Sequence, residues 1–281
     1  MTMLQAVILA LVQGATEFLP VSSSGHLVLA QSFLGVGQEH KLFWDVALHV
    51  GTLGAIVALF WRDIMEIARE WLMGMAALRG EGFRAVWRER ELFRWGWYII
   101  LGTIPAAVVG LSAGDAIGKM FSNPLATAAL LFATGEILWL TRPHNLMHAS
   151  GALRLGDSLI VGLAQATALL PGISRSGITI SAGLMRGVGR AQAARFSFLL
   201  SVPVILGAAI LHARQMQEAL PHDQIVPLLA GIGTAMVSGY IALRLLLRIV
   251  RAGRLHWFSY YCWGLSIVTV AWFWMQSEKA F

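Results

Sequence analysis

The chain has 281 residues, of which 57% are hydrophobic and 13% charged, and its mean hydropathy of +0.67 is too high for a soluble domain of this length. Composition excludes a soluble globular protein and places the chain in a membrane. The formal net charge of +6 does not signal a nucleic-acid partner, because the basic residues are spread over short loops and interleaved with Asp63, Glu66, Glu70, Glu81, Glu89 and Glu91. The lone cysteine, Cys262, lies in an apolar run and is expected to face lipid or fill the core. The first basic residue is Lys41, so the basic region of a cleavable signal is missing and the N-terminus is expected to be retained.

Crossing roughly 30 Å of hydrocarbon takes about 20 apolar residues in a helix. In chain order, the segment 2–35 comes first, and it is broken: two short apolar pieces flank Pro20, Gly25 and a Ser run, which predicts a re-entrant helical hairpin. Spans follow at 42–61, 95–113 and 124–141. A second broken segment at 157–187, interrupted by Pro171, Gly172 and Gly177, predicts a second hairpin, and spans at 193–213, 225–249 and 257–275 complete the chain. The expected fold is an all-α integral membrane protein with six transmembrane helices and two re-entrant hairpins in one polytopic domain, 1–281.

The two broken segments repeat each other. Ala15, Thr16, Leu19 and Pro20 recur as Ala166, Thr167, Leu170 and Pro171, and Ser22, Ser24 and Gly25 recur as Ser174, Ser176 and Gly177. The match continues through Gly35-Val36-Gly37 and Gly187-Val188-Gly189, then through Phe43, Leu53 and Gly54 against Phe196, Leu206 and Gly207. Three predicted spans separate the hairpins, so the hairpins enter from opposite faces. That is an inverted-topology repeat, about 1–113 and about 157–275, with a shared centre at membrane depth. Placing 62–94, 142–156, 186–195 and 244–254 on one side puts sixteen of the 21 Lys and Arg residues there, against Lys41, Lys119, Arg214 and Lys279 opposite. The basic side is expected to be cytoplasmic, with both termini and the mouth of the first hairpin outside.

Glu17 and Arg175 are charges in apolar surroundings, where an unpaired charge costs about 2.5–3.5 kcal/mol or more, so each is a functional candidate. If the hairpins pack tip to tip, Glu17, Ser22, Ser23, Ser24, His26, Ser174, Arg175, Ser176 and Thr179 converge. That is the inventory of a phosphate site: a guanidinium fork, hydroxyl donors and helix N-terminal amides. Gln13 and Glu17, four apart, share a helix face. The bland alternatives are a structural Arg175–Glu17 ion pair, a satisfied interior His26 and serines that serve close helix packing. Asp45 and His49, four apart in a span, are expected to line or cap the cavity. Glu136 carries no assignment beyond a polar partner of its own.

At these motifs the chain resembles the bacitracin-resistance type of undecaprenyl pyrophosphate phosphatase, over essentially its full length. The first signature is Gln13, Glu17 and then Leu19 to His26; the second is Pro171 to Thr179. The resemblance implies a membrane hydrolase that removes the terminal phosphate of undecaprenyl pyrophosphate to yield the lipid carrier for peptidoglycan precursors, with a divalent cation, Mg2+ or Ca2+. The first acidic position of the pattern is Gln13 here, so any role that needs a charge falls to Glu17. The expected partners are the lipid substrate and membrane lipids, not nucleic acid; oligomeric state, a homodimer included, is open. The expected location is the bacterial inner membrane, with the site facing the extracytoplasmic side.

Roles follow as expectations. Glu17, with Gln13, holds the cation; Arg175 clamps the transferring phosphate; Ser22, Ser24, Ser174, Ser176 and Thr179 complete the cradle. His26, three residues after Ser23, is expected to activate that hydroxyl as a nucleophile. Attack by His26 itself or by a metal-bound water accounts for the same residues. A polyprenyl phosphate transporter is the rival, since inverted repeats with broken helices also serve alternating access.

Overall fold

The computed structural model describes residues 1–36, 41–121, 123–143, 151–215 and 224–278; Gly37 of the first Gly-Val-Gly run and Lys279 lie outside them. Among the described residues the regular structure is helical, with one isolated parallel bridge between Gly151 and Val188. The helices are α1 (Met3–Phe18), α2 (Ser23–Phe33), α3 (Lys41–Ala77), α4 (Phe83–Glu89), α5 (Glu91–Met120), α6 (Pro124–Trp139), α7 (Leu155–Thr167), α8 (Arg175–Met185), α9 (Arg190–Gln215), α10 (Ile225–Arg251) and α11 (Phe258–Glu278).

Among the described residues, four stretches are long and apolar enough to cross a membrane: Phe43–Ala77, Glu91–Gly114, Arg190–Leu211 and Ile225–Arg251. With the many exposed large apolar side chains, among them Leu111, Val226, Leu229, Val268 and Trp274, they make this a multi-pass membrane protein. Helix α6, at the predicted span 124–141, has 16 residues, fewer than a perpendicular crossing needs. Helix α3 outruns its predicted span of 42–61. It bends at Phe60 (φ −105°, ψ 19°) and continues to Ala77, because residues assigned to a loop find partners: Asp63 pairs with Arg195, Trp71 packs on Trp97 and Gly74 lies against the Phe93 ring.

Local chemistry sets the breaks. Thr2 and Gln5 form a reciprocal cap at the start of α1. The helix ends where Pro20 forces the preceding Leu19 into extended conformation (φ −63°, ψ 140°). Helix α6 starts on Asn123, which accepts the Ala126 N–H, with proline in its first turn. Helix α8 starts on Ser174, which accepts the Gly177 N–H.

Each hairpin is seated on the other half of the chain. Helix α1 lies along α10 and α7 along α5; α10 packs on α3 and α5 on α9; α3 meets α9, α6 meets α11, α1 meets α2 and α7 meets α8. Exchanging α1 with α7, α2 with α8, α3 with α9, α5 with α10 and α6 with α11 maps these neighbours onto themselves. Both seats depend on close backbone approach. A Cβ on Gly14 would overlap Ser238 of α10, and one on Gly162 would overlap the carbonyl oxygen of Gly102 in α5. Between the seats, Phe18 meets Phe198 edge-on at 5.9 Å and Phe60 stacks on Phe198 at 6.1 Å, so α1, α3 and α9 share an aromatic core beside the hairpin turns.

The Gly162 contact is with backbone, which no side-chain rotation relieves. Gly162→Val is expected to destabilise the protein by about 1–3 kcal/mol, read as a lower unfolding temperature in detergent. Gly207→Ala, in open space on α9, should leave that temperature unchanged.

Candidate active site

The site is built around one carboxylate. Glu17, in the last turn of α1, is 5% exposed and receives four groups. Arg175 Nη2, at the first position of α8, donates to Oε1 at 2.7 Å. Ser23 Oγ, at the start of α2, donates to Oε2 at 2.7 Å, and Gln13 Nε2, one turn back on α1, donates to the same oxygen at 3.0 Å. His49 Nε2 of α3 stands 3.7 Å from Oε2, its ring oriented by Nδ1 at 2.7 Å from the Asp45 carbonyl. A carboxylate at this depth is tolerable only because a cation and three further polar groups surround it. Arg175 commits Nη2 to Glu17 and remains 15% exposed, which leaves the rest of its five-donor fork for an anion.

The turns around this centre are locked from within. Ser22 sits at φ 66°, an unusual conformation for a residue other than glycine, with Oγ 3.2 Å from Ser24 Oγ. Ser174 and Ser176 reproduce the contact at 3.3 Å. Gly172, at φ 97°, packs where a Cβ would overlap the Thr127 carbonyl oxygen of α6. Thr134 of α6 donates to the Gly172 carbonyl at 2.9 Å and accepts the Ser174 N–H at 3.2 Å.

The structure thus brings together Gln13, Glu17, Ser23 and Arg175, adds His49 to them, and divides the remaining expected residues. The hydroxyls of the second motif serve the backbone: Ser174 caps α8, and Thr179, fully buried, donates to the Arg175 carbonyl at 2.6 Å and lies 2.6 Å from Ser197 Oγ. Its single proton is committed, so Thr179 supports Arg175 from behind and offers no unspent donor. The expected His26–Ser23 hydrogen bond is also not made. His26 Nδ1 is 2.9 Å from the Ser22 carbonyl and Nε2 is 2.6 Å from the Tyr261 hydroxyl, while Ser23 turns to Glu17, whose charge makes it the stronger acceptor. Asp45 accepts from Gln31 Nε2 at 2.6 Å, and Glu136 is exposed on α6. Cys262 is core: fully buried, its thiol donates to the Pro20 carbonyl at 3.4 Å.

His49, expected with Asp45 to line or cap the cavity, stands beside Glu17, whereas Thr134, Ser197 and Tyr261 are not among the expected residues. A polar residue inside an apolar span was the only available signal, and it does not separate Tyr261 from Tyr260.

Two oxygen donors of the kind a hard cation takes lie together here. Gln13 Oε1 is buried without a partner beside the Glu17 carboxylate, and every candidate ligand is oxygen. Among the described residues no group of three or more His, Cys, Asp and Glu could hold an ion, so protein donors alone leave most of the six or more ligands of Mg2+ or Ca2+ to water and phosphate.

Breaking a buried pair strands a charge, whereas removing both partners does not. Arg175→Met is therefore expected to destabilise the protein by about 3–5 kcal/mol, and the double variant Glu17→Gln/Arg175→Met to recover most of that loss. Unfolding temperatures of the two variants in one detergent check this.

A family model described as bacitracin resistance protein BacA matches residues 6–268. Among curated relatives, the undecaprenyl-diphosphatase of Thermomicrobium roseum is 41% identical over 277 residues, 95% of this chain and 97% of the relative. That of Desulfatibacillum aliphaticivorans is 44% identical over 266 residues, 92% and 95%, and that of Moorella thermoacetica 42% over 277, 98% and 100%. The match takes in both repeated motifs and every residue around Glu17, and the chain belongs to the bacitracin resistance protein BacA family.

Proposed function

We propose that this chain is an undecaprenyl-diphosphatase: it removes the terminal phosphate of undecaprenyl pyrophosphate, regenerating the lipid carrier for peptidoglycan synthesis and thereby conferring bacitracin resistance. The observation that carries the mechanism is the Glu17 carboxylate, with the Ser23 hydroxyl on one oxygen and the Arg175 guanidinium on the other.

Pyrophosphate cleavage is mostly positioning and charge stabilisation. The incoming terminal phosphate draws the Arg175 fork onto its oxygens, and the α8 N-terminus behind Arg175 adds its amide dipole. With Arg175 turned to the phosphate, Glu17 takes the Ser23 proton as Oγ attacks phosphorus. The Oγ–P bond forms, the bridging P–O bond breaks, and undecaprenyl phosphate leaves with the electron pair. Water then attacks the phosphoserine, His26 Nε2 takes the water's proton, Glu17 returns its own to Ser23, and phosphate departs. His26 shares the first turn of α2 with Ser23, which supports this second role in place of serine activation. Glu17 and Gln13 Oε1 would hold the Mg2+ or Ca2+, which neutralises phosphate charge when bound.

The finer topology belongs to the same proposal: six crossings, two re-entrant hairpins and an inverted repeat. Helices α1, α2, α7 and α8, at 16, 11, 13 and 11 residues, are each shorter than the about 20 residues of a crossing, and the exchange of neighbours between halves supports the repeat. The bias of basic residues supports a cytoplasmic position for their loops. With those loops inside, the first hairpin's mouth, and turnover, face the outer side of the bacterial inner membrane. The lipid tail stays among the helices in the bilayer.

The test is inorganic phosphate released from undecaprenyl pyrophosphate by detergent-purified protein with and without Mg2+ or Ca2+. Release is expected to need the cation. Arg175→Ala and Ser23→Ala should each fall by at least about 100-fold, the scale of losing one transition-state donor or a nucleophile. A trapped phosphoenzyme should vanish in Ser23→Ala and persist in His26→Ala; the converse would make histidine the nucleophile. Lipid binding without phosphate release would replace the phosphatase with a carrier.

A further inference from the structure

Helix α11 grips the turn that carries the first motif at both ends. Cys262 donates its thiol to the Pro20 carbonyl at 3.4 Å, where the turn begins. The residue before it, Tyr261, places its hydroxyl 2.6 Å from His26 Nε2, and its ring stacks on the imidazole at 5.7 Å between centroids and 14° between planes. One turn further on, Ser266 donates to the Ala128 carbonyl of α6 at 2.7 Å, which fixes α11 on a neighbour that also holds the second turn through Thr134.

The proton positions on His26 follow from its partners. The Ser22 carbonyl, 2.9 Å from Nδ1, can only accept, so Nδ1 carries the ring proton. Nε2 then holds a lone pair, and the Tyr261 hydroxyl is its donor. We infer that Tyr261 is a positioning residue for His26: its hydroxyl donates to Nε2 and so holds the imidazole in the Nδ1–H tautomer with Nε2 unprotonated, and its ring fixes the imidazole plane. Tyr261 touches no reacting atom in this role. The water of phosphoserine hydrolysis takes the place of the Tyr261 hydroxyl at Nε2 and gives its proton to that lone pair, so the inference rests on the role given above to His26.

Tyr261→Phe keeps the stacked ring and removes only the hydroxyl. Its kcat for phosphate release is expected to fall by about 10–100-fold, as for other groups that orient a functional histidine, with KM within about twofold. Nitrogen-15 NMR of the histidine side chains, with the His26 signal identified by its loss in His26→Asn, should show Nδ1 protonated in wild type and a mixture of tautomers in Tyr261→Phe. Tyr260→Phe, whose ring packs on Trp139, should leave both readouts unchanged. A wild-type signal with the proton on Nε2, or a Tyr261→Phe protein with wild-type kcat, would overturn the inference alone. Full activity in His26→Asn would overturn the inference together with the role of His26.

Discussion

The buried carboxylate of Glu17 is the constraint on which the rest depends. At 5% exposure in an apolar chain, it requires a cation, and the cation comes from 158 residues away. Neither hairpin is electrostatically complete alone, since the first lacks a positive charge and the second a negative one at its turn. Folding must bring α1 and α8 together before either charge is stable. The pair therefore acts as a registry device as well as a site, the use of buried polar groups with the best physical support. The seating of α1 on α10 and of α7 on α5 supplies the frame, since each short helix that ends near the pair is clamped by a helix of the opposite half.

The two turns show how a duplicated scaffold divides its labour. The Ser22–Ser24 and Ser174–Ser176 contacts agree to within 0.1 Å, although the backbone beneath them differs: Ser22 lies at φ 66° and Ser174 at φ −77°, and the second turn has one more residue between its proline and its first serine. The residue between the serines differs: Ser23 in the first turn and Arg175 in the second. The same position in each copy thus reaches the same carboxylate, once with a hydroxyl and once with a guanidinium. The matched positions deliver both to Glu17, whose aligned position in the second half is Ala168, and this asymmetry of side chains is what the proposed reaction uses as proton acceptor, nucleophile and anion clamp.

Much of this was legible in the chain itself. Pro20 and Pro171 announce the breaks because proline biases the residue before it to extended backbone, the matched Ser and Gly residues announce a shared turn, and Glu17 and Arg175 announce a site because lone charges do not persist in hydrocarbon. What escaped was whatever depends on which way a hydroxyl or ring nitrogen turns. Thr179 and Ser174 have the composition of phosphate ligands, yet the Arg175 carbonyl takes the Thr179 proton and Ser174 Oγ accepts the Gly177 N–H as a helix cap, and local backbone groups compete for Ser and Thr in ways that spacing does not reveal. The His26–Ser23 spacing permits a hydrogen bond, but spacing does not record that a carboxylate stands nearby. The end of α3 escaped for a related reason: Arg62 to Ala77 reads as a charged loop until Trp97, Phe93 and Arg195 are present to hold it helical.

The position of Arg175 explains why so many second-motif groups serve structure. A guanidinium that must release one carboxylate oxygen and grip a phosphate needs a fixed root and a mobile head. Thr179 holds the Arg175 carbonyl, Ser174 caps the helix that begins with Arg175, and Thr134 ties that cap to α6. All of these restrain the backbone, and none touches the guanidinium. The head is held by Glu17, a partner that a doubly charged phosphate can outbid because it offers more acceptor oxygens to the same planar fork. In the proposed reaction this exchange leaves the carboxylate free for the Ser23 proton as the phosphate arrives, so that substrate binding and activation of the nucleophile become one event driven by the same cation.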